Sequence, residues 1–98
     1  MSMPRYEKDP GDVLDYPMDW TRFLKDDAGQ LDTITLSAWS VTGGPSLTTS
    51  LSSILNPTTT VVWLSGGIAG TTYTVTNRIV TAGGRTAERS ITIVVRDL

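Results

Sequence analysis

The sequence predicts an all-β fold, a small sandwich of two sheets, and three observations carry that prediction. Apolar and polar residues alternate with period two through the second half of the chain. Clusters of Gly, Pro and Asn recur about every dozen residues, and β-branched and hydroxyl residues crowd the segments between them. A chain of 98 residues makes one domain with one core and leaves no room for a second.

The elements follow in chain order. Residues 1–17 hold Pro4, Pro10 and Pro17 without a hydrophobic period, and read as an extended N-terminal arm ahead of a sandwich over residues 18–98. In "DWTRFLKDD", residues 19–27, Trp20, Phe23 and Leu24 share a helical face, and the same residues equally suit a short strand. "DTITLSAWSV" alternates Ile34, Leu36 and Ala38 and then changes parity to Trp39 and Val41, which predicts a bulge near residues 37–39. A weaker strand falls over residues 47–55, and "TTTVVWL" follows the breaker Asn56-Pro57.

The last two strands are the clearest. In "TTYTVTNRIV" Tyr73, Val75, Asn77 and Ile79 share one face, and Thr72, Thr74, Thr76 and Arg78 share the other. "RTAERSITIVV" places Ala87, Ile91, Ile93 and Val95 inward, with Arg89 on the same parity, its stem over the core and its head at the rim. Between them "TAGGR" forms a hairpin, for which Gly83 and Gly84 are expected to supply positive φ.

"WLSGGIAGTTYTV", residues 63–75, tests whether the chain does chemistry. A phosphate-cradling loop needs its glycines between a strand and a helix, with a lysine or a helix N-terminus facing the anion. Here Gly66, Gly67 and Gly70 join two predicted strands and no lysine is near. The glycines therefore read as a tight turn, Trp63 as core, and Tyr73 as a residue that enters the next strand two positions before inward Val75. That placement resembles the tyrosine corner of immunoglobulin-like sandwiches, whose hydroxyl bonds backbone across the turn. The antibody cysteines are missing, so the resemblance is to the broader immunoglobulin-like architecture.

Composition excludes much else. Without cysteine or histidine the chain lacks a thiolate, the usual general base and the commonest metal ligand. Asp9, Asp12, Asp15 and Asp19 form an acidic ladder, but it lacks the glycine turn and bidentate glutamate of a calcium loop, and "KDDAGQLD" fails the same test. No enzyme, metal or cofactor is expected. No apolar run approaches the roughly 20 residues of a membrane span, and "MSMPRYEKDPGD" lacks the apolar stretch of a secretion signal.

Net charge is −2, yet residues 1–32 carry four basic and eight acidic side chains while residues 33–98 carry four and two. From Thr33 to Asn77 there is no Asp, Glu, Lys or Arg. That block is either a surface covered by a neighbour or one solvated by its hydroxyls, since Ser and Thr number 25 in the chain. With no basic patch, nucleic acid is not an expected partner.

Over residues 8–96 the ordered set "KDPGDVLDYPMDW", "LDTITLSAWSV" and "WLSGGIAGTTYTVTNRIVTAGGRTAERSITIVV" resembles the small virion proteins called phage fiber-tail adaptor proteins. The resemblance is carried by Asp15-Tyr16 with Asp19-Trp20, by Trp63 to Tyr73, and by Gly84-Arg85-Thr86 before Arg89-Ser90-Ile91. It implies a structural subunit of a tailed bacteriophage with an immunoglobulin-like fold, made in the host bacterial cytoplasm and placed at the neck or tail of the virion. The expected partners are tail or neck adaptor or nozzle subunits, tail fibers, and further copies in a ring. Two alternatives stand beside it, a capsid decoration protein and a module binding glycans or the host surface. On this reading residues 1–20 dock the protein, with Tyr16 and Trp20 as aromatic anchors and Asp15 and Asp19 setting register. Their deletion is then expected to block assembly without unfolding the domain.

Overall fold

The computed structural model describes residues 3–25 and 29–98; Met1, Ser2 and the end of the segment 19–27, at Asp26 and Asp27, lie outside the described residues. Among the described residues the elements are β1 (Arg5–Lys8), β2 (Val13–Asp19), a helical turn α1 (Thr21–Leu24), β3 (Ile34–Thr42), β4 (Leu47–Asn56), β5 (Thr59–Gly66), β6 (Thr72–Thr81) and β7 (Thr86–Val95). They form two packed sheets, of order β1-β7-β6-β3 and β2-β5-β4, so the chain is an all-β sandwich. All neighbours are antiparallel except β1, which runs parallel to β7.

Residues 1–17, read from sequence as an arm, supply an edge strand to each sheet, and the boundary at 17/18 falls inside β2. The reason lies in the alternation of β2, where Tyr16 and Met18 turn inward while Asp15, Pro17 and Asp19 turn to solvent. Pro17 fits because an edge strand has one side without ladder bonds.

The inner faces make one core. β6 and β7 contribute Tyr73, Val75, Ile79, Ile91, Ile93 and Val95, and the facing sheet contributes Tyr16, Met18, Val62 and Leu64. Trp20, Leu24 and Ile34 close the end where the β6–β7 hairpin lies. Asn77 sits fully buried among them, and its side chain uses both ends. Its Oδ1 accepts from Trp20 Nε1 at 3.0 Å and from Thr60 Oγ1 at 2.6 Å, while its Nδ2 donates to Ser37 Oγ at 2.9 Å and to the Ala38 carbonyl at 3.1 Å. One amide thus joins β6 and β3 to β5 of the other sheet and to the start of α1.

Two local expectations need correction. The bulge in β3 lies between Ile34 and Leu36, before the expected place, with Thr35 as the extra residue. Ser37, Trp39 and Val41 then carry the inward parity, and Leu36 and Ala38 are exposed. In the β6–β7 hairpin only Gly84 has positive φ, at 84°. Between Thr81 and Arg85, joined by Thr81 N to Arg85 O, the chain makes a turn closed by Gly84 N to Thr81 O with Gly84 left-handed, so one such position suffices. Gly83 serves clearance instead: a Cβ there would lie 2.8 Å from Asp32 Oδ2, and its N–H donates to Asp32 Oδ1 at 2.9 Å.

Asp32 locks that end of the sandwich. Its carboxylate also takes Arg85 Nε at 3.2 Å, and the same guanidinium donates to the carbonyls of Phe23 and Leu24. A hydrogen bond from the Thr81 side chain, then the N–H groups of Thr33 and Gly83 and the Arg85 guanidinium, hold the carboxyl down at about 2, against a smaller opposing effect of burial. The folded-state value lies below the unfolded one, so this carboxylate stabilises fully above about pH 4 and its contribution fades as pH falls toward 2. Thermal unfolding followed from pH 7 to pH 2 should show the melting temperatures of wild type and Asp32→Asn far apart at pH 7 and converging below pH 4. A separation independent of pH would contradict the role of this charge.

Candidate interaction surfaces

The four sheet edges differ in chemistry. On one side of the sandwich β1 and β2 carry Arg5, Glu7, Asp15 and Asp19, with Pro4, Pro10 and Pro17 in or beside them. Charge and proline are the usual means by which an edge strand is kept from pairing with another chain. On the other side β3 and β4 run over residues 34–42 and 47–56 with no charge, and no proline within either strand. Leu36 is 64% exposed there, Leu51 77% and Leu55 65%, with Ile54 beside them. Thr35, Leu36, Ser37, Ser52, Ser53 and Ile54 line a shallow depression of about 260 Å³ between the two strands. β4 is bent by register shifts between Ser50 and Ser53 and between Ile54 and Asn56, with Leu51 at φ 47°, while β3 is regular from Leu36 to Thr42. Sequence reasoning noted the missing charge but not these leucines, because strand parity was read wrongly at Leu36 and faintly in β4.

The residues expected to meet a partner divide by strand parity. Tyr16 and Trp20 are 5% and 1% exposed and belong to the core, so neither is an anchor on a neighbour. Burial, then the nearby Asp12, push the Tyr16 phenol up. Asp15 and Asp19 remain at the surface on the outer face of β2. Asp19 accepts from the Thr21 hydroxyl at 2.6 Å and from its N–H at 2.9 Å, which keep its carboxyl below the usual range. The other half of the acidic ladder is structural. Asp9 takes Gly11 N and Leu98 N, and Asp12 takes Asp9 N, within the turn from β1 to β2. The described residues contain no cluster of three or more metal-ligating side chains.

The glycine stretch makes the opposite end of the sandwich. Gly66 has φ 76°, and a Cβ on it would come within 2.5 Å of the Ser46 carbonyl oxygen. Gly67 has φ 98°, and its Cβ would meet Val95. Gly70 follows with φ 88°, its N–H bonded to the Val95 carbonyl. Tyr73 is buried beneath this turn; its hydroxyl donates to the Pro45 carbonyl at 2.7 Å and accepts from Ile68 N at 2.9 Å. Lys8 is buried here too, with Nζ donating to the carbonyls of Asp9 and Gly66, and burial lowers its pKa against the pull of Asp12 and Asp9. Trp63 lies outside the core, half-buried on the outer face of β5 between Asp15 and Ser50. Its neighbours Val62 and Leu64 take the inward parity.

No helix among the described residues is long and apolar enough to cross a membrane. No curated protein matches the chain. Residues 8–94 match the family described as podophage GP4 fiber-tail adaptor protein gp77, and the chain belongs to that family. It is therefore a phage structural adaptor, of a kind that joins other virion proteins at the tail.

Proposed function

For a member of this family, we propose a multi-copy subunit at the neck or tail of the virion that helps attach fibers, gripped by its neighbours along the uncharged edge of β3 and β4. The observation that carries this reading is the contrast between edges: one side of the sandwich is defended by charge and proline, and the other presents bare backbone and exposed leucines. An uncharged surface also loses little hydration when covered. Asp15 and Asp19, exposed on the outer face of β2, set register against a neighbour on this proposal. We read the sandwich as immunoglobulin-like, a reading supported by its strand order, the parallel β1–β7 pair and the hydroxyl of Tyr73 spanning the glycine turn.

Quantifying the protein against portal and major capsid protein in purified particles tests the placement. Copies that form a ring matched to the portal support it, and hundreds of copies would assign capsid decoration instead. The edge is tested by Leu36→Asp with Leu55→Asp. Both side chains are exposed, so stability should change by no more than about 1 kcal/mol in total, while copies per particle should fall about tenfold, a loss of about 1.4 kcal/mol of binding. Normal incorporation of the double variant would place the contact elsewhere.

A further inference from the structure

β1 is the shortest strand and is lightly held. It runs four residues, Arg5–Lys8, parallel to the end of β7, and Lys8 is its one buried side chain. Parallel pairing is slightly weaker per residue than antiparallel pairing. Lys8 also carries an amine into the interior, where burial works against its charge.

The contacts of this strand are nonetheless specific, and they run to other elements. The carbonyls of Pro4 and Lys8 accept from Thr92 N at 2.8 Å and Arg96 N at 3.0 Å. Lys8 Nζ donates to the Gly66 carbonyl at the end of β5 at 2.6 Å, Glu7 meets Arg96 at 3.0 Å, and Tyr6 stands edge to face with Tyr16 of β2 at 5.2 Å. None of these contacts depends on β1 and β7 belonging to the same chain. The slot along residues 92–95 fits the sequence Arg5–Lys8, whichever copy supplies it.

A jointed turn connects β1 to β2. Asp12 N closes it on the Asp9 carbonyl at 3.0 Å with Pro10 and Gly11 between, and the Asp9 carboxylate takes Gly11 N at 2.8 Å. Gly11 has no positive φ, and a Cβ on it would meet nothing closer than the Asp9 carboxylate at 3.2 Å, a group that can shift aside. The turn as folded therefore does not require a glycine, whereas a hinge with a second conformation is served by one. Drawn out, residues 9–12 span about 13 Å, more than the ~10 Å between packed sheets.

We infer that two copies exchange β1 reciprocally, each supplying the strand that lies along β7 of the other. The inference rests on the multi-copy reading and names one neighbour as a second copy of this chain. Reciprocal exchange keeps the contacts above, fills both slots and opens only the turn at residues 9–12. It brings the β1 sides of two sandwiches together and leaves both uncharged β3 and β4 edges outward for further subunits. Within a particle the neighbour's strand stands at an effective concentration of about 1 mM, which favours exchange, while in dilute solution β1 folds back on its own chain.

Crosslinking tests this. The sequence has no cysteine, and Arg5 and Thr92 are register partners on the outer face of their sheet. Particles assembled from Arg5→Cys and Thr92→Cys chains in equal amounts are treated with a short bismaleimide, and joined peptides are identified by mass spectrometry. Random pairing should join positions 5 and 92 of different chains in about half of the copies, against about one in a hundred when the same mixture is crosslinked in dilute solution. The double variant Arg5→Cys with Thr92→Cys should join to itself in dilute solution and to a second copy in particles. Particles in which the double variant joins only to itself, or in which the mixed chains give no such crosslink, overturn the exchange. Glu7→Cys with Val94→Cys, the next outward-facing partners, repeats the test if either substitution keeps a chain out of particles. Copy counting separates the two readings: one copy per particle or none overturns both, whereas many copies joined only to themselves overturn the exchange alone.

Discussion

A chain beginning at Thr21 is expected not to fold. Such a deletion removes β1, β2 and Trp20, and with them the buried side chains of Lys8, Tyr16, Met18 and Trp20. Truncating a buried Met or aromatic side chain to alanine typically costs about 2–5 kcal/mol. Three such losses, even at the low end, come to about 6 kcal/mol, comparable with the whole stability of an ordinary domain at about 5–15 kcal/mol. The deletion also bares the β5 edge along which β2 pairs from Val13 opposite Ser65 to Asp19 opposite Thr59, and uncovers Val62 and Leu64. The expected product is an aggregating chain without a cooperative thermal transition. This replaces the expectation that the segment docks the protein while leaving the domain intact. A soluble Thr21–Leu98 fragment with a β-sheet circular dichroism spectrum and a sharp melting transition would refute it.

The same segment explains what was legible in the sequence and what was not. β6 and β7 could be read directly because hydroxyls alternate with Val, Ile and Tyr on a strand half covered by the other sheet. β2 carries the same alternation, with Leu14, Tyr16, Met18 and Trp20 on one parity and Val13, Asp15, Pro17 and Asp19 on the other. Its prolines and acids look like those of a solvated tail, yet they belong to the outer face of an edge strand, where both are tolerated. Reading Asp15, Tyr16, Asp19 and Trp20 as one motif therefore mixed two surface residues with two core residues. The pairing of β1 with β7 joins residues more than 80 positions apart, and no local pattern encodes it. The bulge at Thr35 was misplaced because Leu36, Ala38, Trp39 and Val41 are all apolar, and only tertiary packing chooses which parity is covered. Gly66 and Gly67 were read as a bend from context alone, whereas Trp63 was misassigned because β5 has apolar residues on both faces.

Asn77→Ala is expected to destabilise the domain by about 3–5 kcal/mol, more than any single hydrogen bond would suggest. The reason is the number of buried groups it strands. Trp20 Nε1 and Thr60 Oγ1 lose their acceptor, and the Ser37 hydroxyl and Ala38 carbonyl lose their donor. Each buried polar group left unpaired costs about 1–3 kcal/mol, though Thr60 and Ser37 can turn their hydroxyls to new partners. At about 4–8 °C per kcal/mol for a domain of this size, the melting temperature should fall by at least 12 °C. Asn77→Asp keeps the shape and the acceptor but removes both donated bonds and buries a carboxyl, so it should be nearly as damaging at pH 7 and partly relieved as the pH is lowered and the carboxyl protonates. Thr60→Val, which leaves Trp20, Ser37 and Ala38 bonded, should cost about 1 kcal/mol. Urea unfolding of the three variants, followed by tryptophan fluorescence, separates the network from the cavity that alanine leaves. If Asn77→Ala costs no more than Thr60→Val, the amide does not hold the two sheets in register, and the packing of apolar side chains alone must do so.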